Sequence, residues 1–290
     1  MRQNRGMHQI SIVGAVSWNT LVLLDELPAP VPHMQYAQDD WQTLGGTSAG
    51  KALALTALGD RVRLRAGVGA DAEGERIRMA LTGAGIDPSD LVVADRSERH
   101  LNLMTPAGER VSLYLASPET AAEEDRALDE FFAGAEVLVV DLSAAGLAAL
   151  PAAQRSGRPI WVDVHDYDGK AEFHRPFLAT ADAVFCNADR LADPVGFLRS
   201  RVDAGASLAV CTLGAEGAVA VDAAGEVHRV AAMPVEVLDT NGAGDAFLAG
   251  VLHAHLDRAA LPEALAAGAR SASSVLSTRH LHPLLDDVLG

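Results

Sequence analysis

Short apolar runs alternate with longer amphipathic stretches along most of the chain. Near-continuous hydrophobic segments over 10–16, 62–67, 137–142, 160–164, 183–186, 208–213 and 218–221 predict strands, most of them buried on both faces. Amphipathic stretches over 48–58, 73–84, 121–132, 243–256 and 262–277 predict helices, long enough to cross between parallel strands. This βαβ rhythm implies an α/β protein with a mostly parallel sheet flanked by helices. One segment breaks it. Residues 101–105 and 111–115 read as two strands around Pro106-Ala107-Gly108-Glu109, an antiparallel hairpin over 97–117 that is either an edge ornament or a lid. No repeat, low-complexity tract or Ser/Gly linker divides the chain, so 1–290 reads as one domain carrying that hairpin.

Composition narrows the partners. With 23 basic against 39 acidic residues the net charge is −16, which disfavours nucleic acid and anionic membranes. No stretch approaches the roughly 18 apolar residues of a membrane span. The two cysteines, Cys186 and Cys211, sit in apolar runs and are expected as buried free thiols. The opening MRQNRGMHQISIVGAV places a few basic residues before an apolar run that continues directly into Ser17, Trp18 and Asn19. It reads as the first strand of a cytoplasmic protein rather than a signal peptide.

The densest chemistry is the turn Asp239-Thr240-Asn241-Gly242-Ala243-Gly244-Asp245 feeding the apolar helix over 243–256. A small-residue turn at a helix start leaves backbone N–H groups without intrahelical partners, and the helix dipole adds partial positive charge there. That is an anion site. Asp245, in the first helical turn, either stabilises the dipole or serves as a general base beside those donors. A base and an anion hole on one turn suit phosphoryl transfer.

The turn resembles the D-T-x-G-A-G-D signature of the ribokinase-like (PfkB) carbohydrate kinases. Two further segments agree in order: Gly45-Gly46-Thr47-Ser48-Ala49-Gly50-Lys51-Ala52 with the later Gly67-Val68-Gly69-Ala70-Asp71, and Thr212-Leu213-Gly214-Ala215-Glu216-Gly217. The resemblance implies a three-layer sandwich with a small β lid that transfers phosphate from ATP to an alcohol group of a sugar or nucleoside. It assigns Asp245 as base and the amides of Gly242, Ala243 and Gly244 as anion hole. It places Asn19, Gly45, Gly46, Gly50 and Lys51 at the substrate, and Asn187, Thr212, Gly214 and Gly217 at the nucleotide. Mg²⁺ is implied as cofactor, with Asp163 near it. Asp239 is implied to order the loop, with K⁺ as a candidate monovalent cation, the alternative being a plain strand-end cap. A homodimer through the lid is also implied.

The chain departs from the family pattern at the acceptor end. Asn19 stands where relatives carry an Asp that grips sugar hydroxyls, and Gly50 where they carry an Asn. Lys51 beside it either meets an anionic substrate or is a solvated helix lysine. The N-x-x-E motif becomes Asn187-Ala188-Asp189-Arg190, so an arginine replaces the glutamate and either Asp189 or Arg190 itself must adjust the local charge. After Asp163, His165 and Tyr167 replace the usual D-x-N-x-R partners, while Asp166 and Asp168 are expected to shape a turn. A helix over 270–279, with Ala272, Ser273 and Ser274, occupies the place where relatives pack small residues beneath adenine; such residues ordinarily serve close packing, and no adenine contact is assigned to them. His253 and His255 fall on different helix faces, which disfavours a metal pair. Two other readings compete: a catalytically silent sugar or nucleotide sensor, and a nicotinamide oxidoreductase suggested by Gly67-Val68-Gly69-Ala70-Asp71-Ala72.

Overall fold

The structure, a computed structural model, describes residues 7–120 and 125–290. The basic start at 1–6 and the expected first helical turn at 121–124 lie outside the described residues. The strands of the first half are β1 (Gln9–Val13), β2 (Ser17–Leu23), β3 (Asp39–Gly45), β4 (Arg61–Arg65), β5 (Gly67–Gly69), β6 (Val92–Ala94), β7 (Glu98–Met104) and β8 (Arg110–Ala116). Those of the second half are β9 (Val137–Val140), β10 (Ile160–Asp163), β11 (Ala183–Asn187), β12 (Leu208–Thr212), β13 (Ala218–Asp222) and β14 (Val227–Val230). Helices are α1 (Thr47–Leu58), α2 (Ala72–Gly83), α3 (Asp125–Phe132), α4 (Ala144–Arg155), α5 (Arg175–Thr180), α6 (Pro194–Asp203), α7 (Ala243–Leu256), α8 (Leu261–Val275) and α9 (Asp286–Leu289).

Eight strands form the main sheet in the order β14-β13-β12-β11-β10-β9-β1-β4, parallel from β12 to β4 and antiparallel at the β13 and β14 edge. Alternation along its strands feeds two cores. Val137 and Val139 of β9 join the core shared with α1, α7 and α8, whereas Leu138 and Val140 join that shared with α3, α4 and α6. A sheet buried on both faces needs hydrophobic side chains at every position, which is why its strands read as continuous apolar runs. Cys186 and Cys211 are buried free thiols paired in register across β11 and β12.

The second sheet is larger than the expected hairpin. It runs β3-β2-β7-β8, so the 97–117 hairpin is the outer half of a four-stranded layer begun by residues 17–23 and 39–45. The apolar run over 10–16 is not one strand: β1 ends at Val13 and the chain turns into β2, whose Trp18, Asn19 and Thr20 lack the apolar continuity of a core strand. The helix expected over 270–279 ends at Val275. Beyond it, Thr278 donates to Asp286 and the Trp41 indole donates to the Arg279 carbonyl, so local side-chain and tertiary bonds replace the helical ladder. Among the described residues no helix is long and apolar enough to cross a membrane.

Candidate active site

The carboxyl ends of the parallel strands open into a cleft of about 1200 Å³ roofed by the four-stranded sheet. Ligand crevices form at this edge because the strand ends and helix N-termini there present unpaired backbone groups. The turn Asp239–Asp245 lies in its floor. Gly242 takes a left-handed φ of 76° and is the N-cap of α7, with no side-chain cap. The Ala243 N–H makes a long 3.5 Å contact with the Thr240 carbonyl, and no side chain caps the helix start, so its amides are available to a ligand. Gly242, Gly244 and Asp245 line the cleft; Ala243 lies between them at the first helical position.

Asp239 orders this loop by its own hydrogen bonds. Its Oδ1 accepts the Asn241 backbone N–H at 2.8 Å, and the Asn241 side-chain amide donates to both of its oxygens. Burial pushes its carboxyl up, against the pull of those bonds and of Arg110. Arg110 of β8 in turn donates to the side-chain oxygen Oδ1 of Asn241, which ties the roof to the turn.

Asp245 is largely buried at the cleft lining, and its principal partner comes from α1. Lys51 Nζ donates to Asp245 Oδ1 at 2.6 Å and lies 3.1 Å from Asp141 Oδ1 and 3.4 Å from Asp163 Oδ2. Lys51 is 0% exposed, so the solvated lysine expected from sequence is not what forms. Its ammonium is enclosed by carboxylates and does not reach the cleft surface. Burial alone would lower its pKa, but the three acids outweigh it and raise the value. Burial raises Asp245 to about 6, with the nearby Asp163 and Asp141 charges adding to the rise and Lys51 opposing it. Asp163 is held low: burial works against ionisation, yet His165 and Lys51 prevail.

Sequence motifs did not mark Asp141. It follows β9 as Asp163 ends β10, a lone acid at the end of a buried apolar strand, and that shared signature could have found it. Its Oδ2 accepts the Ser48 hydroxyl at 2.7 Å, so α1 supplies both a hydroxyl and an ammonium to this corner. His165, at a left-handed φ of 50°, lines the cleft beside Asp163 and donates its backbone N–H to Asp163 Oδ1 at 2.9 Å.

The remaining expected residues separate. Asn19, Gly45 and Gly46 line the cleft together. Ser17 donates to Asn19 Oδ1, and a Cβ on Gly45 would lie 2.1 Å from Asn19 Nδ2, so the first glycine is what lets the amide lie flat. Gly50 lies under Asp245 rather than at the cleft wall. Asn187 and Thr212 face each other in register and line the cleft, whereas Gly214 and Gly217 shape the following turn outside it. Arg190 is exposed, 3.7 Å from Asp166, away from the cleft lining, where Asp189 takes its place. Asp168 caps the turn at Lys170 and Ala171. His253 pairs with Asp60 and His255 packs on Trp161, so the two rings do part. Unforeseen were Glu98, His100 and Asn102, which β7 alternation turns into the cleft. The Gly67–Asp71 turn is no dinucleotide site: Asp71 accepts the Gly74 N–H at 2.8 Å, occupying the helix start with its own carboxylate.

Comparison with known proteins identifies the chain's relatives. Acarbose 7(IV)-phosphotransferase of Actinoplanes sp. is 34% identical over 270 residues, covering 90% of this chain and 89% of the relative. The solved microbiome-derived acarbose kinase Mak1 superposes with a TM-score of 0.82 at 29% identity, covering 98% of this chain and 99% of that one. The ribokinase of Thermotoga maritima shares the fold, with a TM-score of 0.77 at 17% identity and 94% coverage of both chains. The pfkB family carbohydrate kinase model matches residues 7–285, and the chain belongs to that family.

Proposed function

We propose that the protein transfers the γ-phosphoryl group of ATP to a hydroxyl of a sugar, with Asp245 as general base. The observation that carries this reading is the placement of a buried carboxylate, raised to about 6, one turn inside an uncapped helix start that lines a large cleft. The acceptor hydroxyl gives its proton to Asp245 as its oxygen attacks the γ-phosphorus, the bond to ADP breaks, and the proton later leaves to solvent. The amides of Gly242, Ala243 and Gly244 hold the charge that builds on the transferred group. Mg²⁺, when bound with the nucleotide, supplies charge neutralisation of the phosphates. Its water shell suits the oxygens of Asp163, Asn187 and Asp189 at that end of the cleft. Asn187 and Thr212 are placed for the nucleotide, and Asn19, Gly45 and Gly46 for the acceptor.

Two relatives named for acarbose favour a carbohydrate acceptor over a nucleoside. The polar inner face of β7, with Glu98, His100 and Asn102, offers hydrogen-bond partners suited to a polyhydroxylated ligand. The expected homodimer through the lid is supported by the open edge of β8, where Val111, Leu113 and Leu115 are exposed. ADP release measured across acarbose, pentoses, hexoses and nucleosides tests the acceptor. Asp245→Asn tests the base: kcat is expected to drop by about 10²–10⁴-fold while calorimetric ATP affinity is retained. Unchanged turnover in that variant removes Asp245 from the base role.

A further inference from the structure

We propose that Lys51 is the positioning residue that clamps the Asp245 carboxylate for proton transfer, and that Gly50 clears the space in which that carboxylate lies. The proposal rests on the reading of Asp245 as general base. Sequence comparison within the chain offers no hint of it, since 194 positions separate the two residues.

The clamp is built from three elements. Lys51 extends from α1, Asp141 follows β9, Asp163 closes β10, and the three meet Asp245 around one ammonium at 2.6, 3.1 and 3.4 Å. The supporting acids are themselves held, Asp141 by Ser48 and Asp163 by the His165 backbone N–H. An ammonium surrounded in this way has no freedom to seek a substrate anion. It has one hydrogen bond to the base, and that bond occupies Oδ1. Oδ2 is thereby the oxygen left to receive the acceptor proton. Lys51 keeps its own three protons throughout and takes no part in the transfer.

Gly50 supplies the other half. A Cβ built there would stand 2.7 Å from Asp245 Oδ2, closer than real Cβ atoms come, and 3.0 Å from Asp245 Cβ, so the carboxylate would have to move. Any residue larger than glycine pushes the carboxylate off its seat or off Lys51. The Gly50-Lys51 dipeptide thus works as a unit, one residue making room and the next fastening what fills it. Removing the lysine alone leaves three buried carboxylates without their cation and weakens the fold, so Gly50→Ala, which keeps every charge, separates positioning of Asp245 from stability.

The experiment measures kcat and acceptor KM by ADP release with acarbose or, if acarbose is not turned over, the fastest acceptor of the screen above, alongside ATP affinity by calorimetry. Gly50→Ala keeps every charge, and Lys51→Met removes the clamp. Each is expected to lower kcat by about 10²-fold, the scale of a 1 Å misplacement of a reacting group, with KM and ATP affinity little changed. Lys51→Ala leaves a hole of ammonium size, and added ethylammonium is expected to restore about tenfold in kcat where sodium chloride of equal ionic strength restores nothing. Lys51→Met at wild-type kcat, with Asp245→Asn inactive, overturns the clamp and leaves the base reading standing. Asp245→Asn at wild-type kcat overturns the base reading instead. Where the Lys51 variants do not fold, Gly50→Ala decides alone: wild-type kcat in it overturns the proposal.

Discussion

The corner around Asp245 and the four-stranded roof above it solve opposite problems with the same chain. At the corner, one ammonium and three carboxylates are buried at the ends of parallel strands that are packed on both faces. In the roof, β8 is exposed along nearly its whole length, and alternation turns Glu98, His100 and Asn102 of β7 and Arg110, Ser112 and Tyr114 of β8 toward the cleft. A reacting carboxylate must be held to a fraction of an ångström, which dense packing provides. An acceptor-binding surface must open and close, and a thin sheet with one water-facing side permits that. On the proposed reading of the site, the fold separates chemistry from recognition, and the departures from the family pattern at Asn19 and Gly50 fall on either side of that division.

The comparison can be broken first through stability. Leu64→Ala in the main sheet, at a fully buried position, is expected to cost about 2–5 kcal/mol in denaturant unfolding. Asp40→Ala in β3, at an exposed position of the roof away from the β8 edge, is expected to stay within about 0.5 kcal/mol of wild type by the same measurement. Equal losses would mean the roof is as cooperative as the core. Next in size, Gly45→Ala drives a methyl group into the Asn19 amide and is expected to raise acceptor KM by about tenfold with kcat nearly kept. A kcat effect without a KM effect would place Asn19 with the chemistry instead.

The pH profile sharpens the corner. With its carboxyl near 6, Asp245 carries a proton below that pH and can accept no other. At saturating substrates kcat is expected to fall about tenfold per pH unit below 6 and to level above it. A flat profile down to pH 5 would show that this ionisation does not control turnover. The smallest effect is expected from Arg110→Ala, which cuts the bond between the roof and the Asn241 side chain. Acceptor KM should rise by about threefold, and ATP hydrolysis without acceptor should increase slightly, because the roof then excludes water less well.

Much of the framework was legible because it is written locally. The strand over 183–186 and the helix over 243–256 appear where their apolar runs place them, and the helix bounds agree at both ends. The turn before that helix was legible for the same reason: an uncapped glycine-rich helix start has its chemistry in its own backbone. The roof was only half legible. Residues 17–23 and 39–45 mix Trp18, Asn19, Asp39 and Asp40 with apolar positions, because β2 buries polar Ser17 and Asn19 as well as Trp18 of the core while β3 begins exposed and ends buried, so no hydrophobic alternation marks them. Asp141 was invisible as a functional residue for a different reason, since its meaning comes from Ser48 and Lys51 on another element.

The βαβ architecture, the glycine-rich start of α7 and the presence of a carboxylate in its first turn were readable from the sequence. These follow from backbone geometry and side-chain period over a few residues. Only the tertiary structure decided that Lys51 faces acids instead of solvent, that Asp245 sits near 6, and which residues of the roof look into the cleft. Desolvation and the field of neighbouring charges are sums over everything packed around a group, so they come into being only when distant segments close on one another.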